Sequence, residues 1–352
     1  MGRPKKVSVG ELAEGLIEVV KERTPDEREM DVLMDAISKR FGQGAVFRIA
    51  DDEIVATPKT SSGSMKLDDI LGGGYGDGRI IEVYGPESSG KTTLLLHAIK
   101  SVQQNGGKAA IVDAEHALDL KYASDLGVDV GALYVSQPDT GEDALEIVDM
   151  MTRSGKFKII GIDSVAALVP KAELEGDMGQ SHVGLQSRLM SQAMRKLAGV
   201  ANNTGTILFF INQLRMKVGI MFGNPEVTSG GNALKYYASQ RLDIRKASSG
   251  KDSVTGEAVN NLVRVKCVKN KLASPFKECE LIIEFGKGVN FAAEVLDLGA
   301  ELKIIDKSGA WYSYKGERLG QGAANAVVVL EAHPELLKEL ADLVRIGLFG
   351  EA

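Results

Sequence analysis

The sequence predicts an α/β fold built on a doubly wound, mostly parallel sheet, and three observations carry that prediction. The first is "GPESSGKTTLLL", Gly85 to Leu96, which fits the pattern Gly-x-x-x-x-Gly-Lys-Thr. An apolar run, "RIIEVY", precedes it and a helical run, "TTLLLHAIKSV", follows it. In that strand–loop–helix setting a glycine-rich backbone turns its N–H groups onto phosphate oxygens. The second is an alternation from about Gly63 to Gly288. The apolar runs "AAIVDA", "LYVSQ", "KIIGID" and "TILFFINQ" are separated by helical patterns such as "DALEIVDMMTRSG" and "LQSRLMSQAMRKLAGVANN". Such alternation yields a parallel sheet with ligands at the strands' carboxyl ends. The third is a change of period: "QRLDIRKA" and "NLVRVKCVKNK" alternate every second residue, which predicts an antiparallel extension joined by tight turns.

The ends of the chain read differently. Near the N-terminus, "TPDEREMDVLMDAISKRFG" has a clear helix start, with Thr24 as cap, Pro25 in the first turn and Glu27 completing a capping box. Met30, Leu33, Met34, Ile37 and Phe41 recur at helical spacing until Gly42 ends the run. An earlier amphipathic stretch carries Leu12, Leu16, Val19 and Val20. Periodicity leaves open whether these helices pack on their own core or on a neighbouring subunit. Beyond Gly288, "FAAEVLDLGAELKIIDKSGAWYSYKGERLGQG" and the final helix "PELLKELADLVRIG" read as a small separate α/β module. The expected organisation is an extension over 1–24, a helix and strand over 25–60, a core over 61–288 and the small domain over 289–352.

Bulk properties exclude several classes. The chain has 352 residues, 44% hydrophobic and 26% charged, and no apolar run approaches the roughly 20 residues that span a bilayer. "MGRPKKVSVGEL" lacks the apolar segment of a signal peptide, and its "RPKK" reads as a solvated basic terminus in preference to a nuclear-targeting signal. Cys267 and Cys279 form no disulfide framework, and four scattered histidines add no metal spacing, which suits a reducing cytoplasm. A net charge of −6 argues against a uniformly basic nucleic-acid binder but leaves room for local basic patches.

The phosphate site is expected to run from Gly85 through Pro86, Glu87, Ser88, Ser89, Gly90, Lys91 and Thr92 to Thr93. Lys91 reaches the β- and γ-phosphates, and the Thr92 hydroxyl binds Mg²⁺. Asp163, directly after the buried run "KIIGI", is the candidate second magnesium ligand. Glu115, beyond strand "AAIVDA", is either a general base or a solvated loop acid. Tyr122 either stacks on a purine or fills a partly buried core position.

Two stretches are too long to be mere connections: "PKAELEGDMGQSHVG", 170–184, and "QLRMKVGIMFGNPEVTSGG", 213–231. The second sets Arg215 and Lys217 beside Val218, Ile220, Met221 and Phe222. Cations that track phosphates beside apolar wedges suit single-stranded nucleic acid, with a substrate lid or a partner-binding loop as the competing readings. Arg188 and Arg195, seven apart on the helix after the first loop, share a face. Gln213 ends the strand that opens the second loop, where it would bond a γ-phosphate and tie loop order to nucleotide state.

Taken together, "GPESSGKTT", "DAEHALD", "SQPDTGEDALEI", "IDSVAALVPKAELEGDMG", "SQAMRKLAG", "FINQLRMKVGIMFGNPE", "GGNALKYYAS", "VKNKLASPFK" and "GAWYSYKGERLGQG" resemble the RecA family of bacterial recombinases, from roughly Met30 to Gly347. The resemblance implies a RecA-type P-loop ATPase core, an N-terminal helix–strand polymerisation segment and a small C-terminal domain. It implies a DNA-dependent ATPase that uses ATP and Mg²⁺, forms a homo-oligomeric helical filament on single-stranded DNA, pairs it with double-stranded DNA and exchanges strands. Stimulated self-cleavage of an SOS repressor, and contacts with single-stranded-DNA-binding or mediator proteins, come with it. Carried onto this chain, it makes Glu115 the catalytic base and Gln213 the γ-phosphate sensor, and sets Asp119 and Tyr122 at adenine. Lys269 and Lys271 would reach across the subunit interface to the phosphates, positions that the residues alone read as a solvated strand edge. The two loops become DNA-binding loops with Arg188, Ser191, Arg195, Arg215, Lys217, Val218, Gly230 and Gly231. Ile37, Phe41, Lys235 and Tyr236 fall at the subunit interface, Tyr236 where the family commonly has phenylalanine.

The chain departs from the family pattern in three places. An extension of roughly twenty residues precedes the polymerisation helix. Gln180 and Val183 stand where an acidic residue and a methionine are expected. The sequence ends at "VRIGLFGEA" without an acidic tail, which predicts easier filament formation on duplex DNA and weaker Mg²⁺ dependence. Two other classes compete: an ATP-gated scaffold that binds DNA but exchanges strands poorly, and a nucleotide or metabolite kinase, which would leave the basic–apolar loop unexplained.

Overall fold

The computed structural model describes residues 24–42, 45–46, 57–177, 182, 184–217, 225–251 and 256–350. The stretch with Leu12 to Val20, Gln180, Val183 and Val218 to Phe222 lie outside them. The chain divides into two units, Met1–Ala56 and Thr57–Ala352.

In the first unit the capping box forms as its residue types require. Helix α1, Pro25–Phe41, starts where the Thr24 N–H donates to Glu27 Oε2 at 2.8 Å and Thr24 Oγ1 accepts from the Glu27 N–H at 3.3 Å. Asp26 and Glu27 at its start and Lys39 and Arg40 at its end complement the helix dipole, and Gly42 stops it. None of its residues is buried; Ile37 is half-buried and Phe41 is exposed.

In the second unit a short ribbon, β1 Lys59–Thr60 and β2 Tyr75–Gly76, flanks α2, Met65–Leu71. The core then runs β3 Ile80–Gly85, α3 Lys91–Gln104, β4 Ala109–Asp113, α4 Leu120–Asp125, β5 Tyr134–Ser136, α5 Gly141–Arg153 and β6 Ile159–Asp163. A single turn, α6 Lys171–Leu174, precedes α7 Leu185–Thr204. Next come β7 Ile207–Met216, β8 Glu226–Thr228, α8 Ala233–Tyr237, β9 Gln240–Lys251, β10 Ala258–Asn270, β11 Glu278–Glu284 and β12 Gly288–Val289.

The strand order is β12-β11-β10-β9-β3-β7-β6-β4-β5, parallel from β9 to β5 and antiparallel from β9 to β12. Period-two alternation splits the core between the two faces. Ile81, Val83, Phe209 and Ile211 pack with α3, whereas Ile80, Leu208 and Phe210 pack with α5 and α7. The sheet is doubly wound, as the alternation predicts.

The antiparallel extension exists, and β9 itself is parallel to β3; most of the β9–β10 connection, where tight turns were expected, lies outside the described residues. One detail differs from the sequence reading. The stretch 213–231 is not all loop: β7 continues through Met216 and β8 pairs back on it, Leu214 opposite Thr228 and Met216 opposite Glu226. That hairpin satisfies backbone groups which a long loop would have to leave to solvent.

The C-terminal segment, α9 Phe291–Glu301, β13 Asp306–Ser308, β14 Trp311–Tyr314, β15 Glu317–Gln321, α10 Ala323–Ala332 and α11 Pro334–Phe349, forms its own core of Val295, Leu296, Leu330, Leu340 and Val344, which also takes Met65 of α2. Buried Glu294 on α9 ties it to the core, accepting from Ser64 Oγ and from the Met65 N–H at 3.0 Å. Burial pushes the Glu294 carboxyl up to about 7.

Candidate nucleotide and nucleic-acid site

The loop after β3 is shaped by backbone that only small residues tolerate. Gly90, at φ +98°, caps α3, and a Cβ there would lie 2.6 Å from Ile283 Cδ1. Pro86, Glu87 and Ser88 are exposed, and Ser89 Oγ donates to the Pro86 carbonyl at 2.8 Å. The free N–H groups at the start of α3 and the helix dipole favour an anion here. The Lys91 ammonium donates to the Gly85 and Pro86 carbonyls at 3.2 and 2.6 Å. Burial lowers its pKa, against the pull of Asp163, Glu115 and Glu87.

A cavity of about 330 Å³ opens over this loop, lined by Ser88 to Thr93, Tyr122, Asn261, Val263, Ile283, Glu284, Phe285 and Gly286. Tyr122 takes the partly buried core position: its ring packs on the core cluster, and its hydroxyl bonds Thr93 Oγ1 at 2.9 Å beside the cavity. Asp119 accepts from the Tyr122 N–H at 2.9 Å as the cap of α4 and is exposed. The far wall, from β10, β11 and the turn after them, was missed in the sequence reading. An antiparallel extension carries no phosphate signature, and its one pointer was Phe285, an aromatic ahead of Gly-x-Gly that stands 52% exposed.

The carboxylates gather at the ends of β4 and β6. Thr92 Oγ1 donates to Asp163 Oδ2 at 2.7 Å. Burial, with Glu115 and Asp113 nearby, pushes the Asp163 carboxyl up to about 6. Asp113 is structural: it accepts from the Ala117 and Leu118 N–H groups and from Gln137 Nε2, which orders the loop presenting Glu115. Glu115 Oε1 receives two donors, Ser164 Oγ and Gln213 Nε2, the latter at 2.8 Å. Sequence reasoning singled out Glu115 and Gln213 separately and gave no role to Ser164, the buried serine after Asp163.

From Gln213 the chain passes into the β7–β8 hairpin, where Arg215 and Lys217 are exposed and the Lys217 N–H donates to the Pro225 carbonyl at 2.9 Å. At its return, Gly230 donates to Gln186 Oε1 at 3.1 Å, and Gln186 Nε2 donates to the Val165 and Leu168 carbonyls. Gly231, at φ +75°, presses on α7, where a Cβ would lie 2.6 Å from Ser187 Oγ. Gln186, also unread from sequence, thus joins the return of the second loop and the turn after β6 to α7. On that helix Arg188 and Arg195 are exposed and Ser191 Oγ bonds the Ser187 carbonyl at 2.7 Å.

Lys269 and Lys271 are not brought to the P-loop. Lys269 pairs with Arg241, which pairs with Glu82, and the Lys271 N–H bonds the Ser239 carbonyl beside Ile80. They therefore stand at the amino end of β3, opposite the loop that follows Gly85. There Lys269 Nζ donates to the Lys235 and Tyr236 carbonyls at 2.8 and 2.9 Å, and burial lowers its pKa. Tyr236 is 69% exposed.

Comparison with known proteins identifies the family of this chain. A family model described as the RecA N-terminal domain matches residues 28–290, and one described as the RecA C-terminal domain matches residues 293–348. The chain is similar to Protein RecA of Desulforapulum autotrophicum, 55% identical over 329 residues that cover 93% of this chain and 94% of that one. It is 58% identical over 318 residues to Protein RecA of Salinispora arenicola, covering 90% of this chain and 91% of that one. A crystal structure of the RadB recombinase matches in fold with a TM-score of 0.50 at 20% identity, over 65% of this chain and 98% of its own. On these matches, with the P-loop site already in view, the chain belongs to the RecA family and is a recombinase with ATPase activity.

Proposed function

We propose that this chain polymerises on single-stranded DNA with ATP, hydrolyses the ATP to ADP and phosphate when DNA fills its loops, and pairs and exchanges homologous strands. One observation carries the coupling: Gln213 Nε2 holds Glu115 Oε1 at 2.8 Å, and the strand that bears Gln213 runs on into Arg215 and Lys217. A shift of the basic hairpin therefore moves the carboxylate that addresses water. Gly230 and Gly231 seat the return of the hairpin against α7, and with Arg188, Ser191, Arg195, Arg215, Lys217 and Val218 they make the DNA-binding surface of this reading.

At the nucleotide, the backbone from Gly85 to Thr93 cradles the phosphates with Lys91 as counter-charge, while Tyr122 and Asp119 border the base. The Thr92 hydroxyl and the Asp163 carboxylate are hard oxygen donors in contact, which fits Mg²⁺ completed by phosphate oxygens and water. Bound there, Mg²⁺ would neutralise phosphate charge. Both protein donors to Glu115 meet Oε1, which leaves Oε2, among the described residues, to take a proton from water.

Lys269 and Lys271 act on the nucleotide of a neighbouring copy, since the sheet register turns them away from their own. Lys235 and Tyr236 border that contact, and Ile37 and Phe41 of α1 dock on the adjacent subunit. The same filament would stimulate self-cleavage of an SOS repressor in the cytoplasm; among the described residues no helix is long and apolar enough to cross a membrane.

The test is ATP hydrolysis with and without single-stranded DNA at fixed salt, with Lys91→Ala as blank. A large stimulation, absent in the blank, supports the reading. A rate indifferent to DNA overturns it.

A further inference from the structure

The β3 sheet holds a buried polar strip that ends on the second loop and has no part in the phosphate site. Glu82 is fully buried in the centre of β3, and Arg241 on β9, 8% exposed, donates to its Oε2 through Nε. The Arg241 guanidinium also lies 4.8 Å from the Tyr84 ring centroid. The other Glu82 oxygen accepts from Asn212 Nδ2 at 3.0 Å. Asn212, fully buried on β7, makes two more bonds: Nδ2 to the Ser229 carbonyl at 3.1 Å, and Oδ1 from the Gln213 N–H at 2.9 Å.

The strip begins and ends at functional surfaces. Arg241 pairs in register with Lys269, whose ammonium holds the Lys235 and Tyr236 carbonyls. Asn212 grips Gln213, which holds Glu115, and Ser229, which precedes the Gly230 turn. A buried ion pair is weak evidence of stability, because desolvation offsets most of its attraction. Its geometry, in contrast, is sharply defined, since any shift leaves a buried charge unsatisfied.

We infer that Arg241, Glu82 and Asn212 are positioning residues that hold Gln213 and the Ser229–Gly230 turn in register with the subunit-contact surface around Lys269. The inference rests on the proposed role of Gln213. The strip keeps Gln213 on Glu115, so a neighbouring subunit that engages Lys269 acts on the hydrolytic site through it, and hydrolysis answers to filament contact and to DNA together.

The experiment is a double-mutant cycle of Asn212→Leu and Gln213→Ala on the full chain, reading kcat and KM for ATP with and without single-stranded DNA. Asn212→Leu is expected to cut the DNA-stimulated kcat about tenfold with KM within twofold, and to change it less than twofold in the Gln213→Ala background. Equal losses in both backgrounds, or no loss in either, overturn the inference. If Gln213→Ala alone keeps full stimulation, the sensor reading fails, and with it the strip's route through Gln213. Should Asn212→Leu melt early, the pair Glu82→Gln with Arg241→Met removes both charges without stranding one. It should show the same tenfold loss, and wild-type stimulation in it overturns the inference.

Discussion

The two ends of strand β3 teach different lessons. At its carboxyl end the P-loop, Thr92, Asp163 and Glu115 converge within one chain through direct hydrogen bonds. At its amino end exposed Lys235, Tyr236 and Lys271 surround half-buried Lys269, a cationic surface away from the chain's own P-loop. The first end gathers the phosphate-site residues of its own chain, and on the proposed reading the second supplies cations to the site of another copy. A head-to-tail contact of this kind does not close on itself, so it propagates as a filament.

The largest effect that sharpens the contrast belongs to the first end. Lys91→Ala removes the only lysine bonded into the P-loop among the described residues, and ATP hydrolysis should fall by about 10²–10³-fold with or without DNA. A loss confined to the DNA-stimulated rate would break the division of labour. Gln213→Ala should be milder and selective: DNA stimulation falls about tenfold while ATP affinity holds, because the side chain contacts Glu115 and not the P-loop. ATP that still tightens DNA binding in the mutant would contradict this.

The pH dependence follows from two buried carboxyls. On the proposed reading Asp163 holds Mg²⁺ as its carboxylate, and burial raises that group to about 6 in the metal-free chain, so the Mg²⁺ concentration needed for half-maximal activity should rise as pH drops below about 6. Stability moves the other way at Glu294. Its folded pKa, about 7, lies above its unfolded value, so its contribution is full below the unfolded value and is lost as pH rises through about 7. The melting temperature should drop by a few degrees across that window, and Glu294→Gln should flatten the drop. The smallest effect concerns α1. Thr24→Ala breaks the capping box, costs about 1 kcal/mol of helix stability and should speed amide exchange there about fivefold.

Much of the first end was legible in sequence because its residues are local to strand ends. A strand, a Gly-x-x-x-x-Gly-Lys-Thr loop and a helix specify one another, and Asp163 and Glu115 follow buried runs. The wall from Asn261 to Gly286 was not legible, since it depends on how an antiparallel extension folds beside α3. Ser164, Gln186 and Asn212 escaped for a related reason: single polar residues in apolar surroundings show their partners only once strands are registered. The resemblance supplied a role for Lys269 and Lys271 that periodicity read as solvated edge, and the register explains why no intrachain argument finds it. Reading 213–231 as loop failed because Leu214, Arg215 and Met216 carry on a strand whose partner, Glu226–Thr228, is too short to announce itself.

The most direct test of the central claim is a mixing experiment. Filaments of Lys269→Ala/Lys271→Ala and filaments of Glu115→Gln are each assayed alone, then as an equal mixture, for DNA-stimulated ATP hydrolysis. If the lysines serve a neighbour's nucleotide, random assembly restores about a quarter of the sites, and the mixture reaches about a quarter of the unmutated rate. A mixture no faster than the average of its two components would contradict the account.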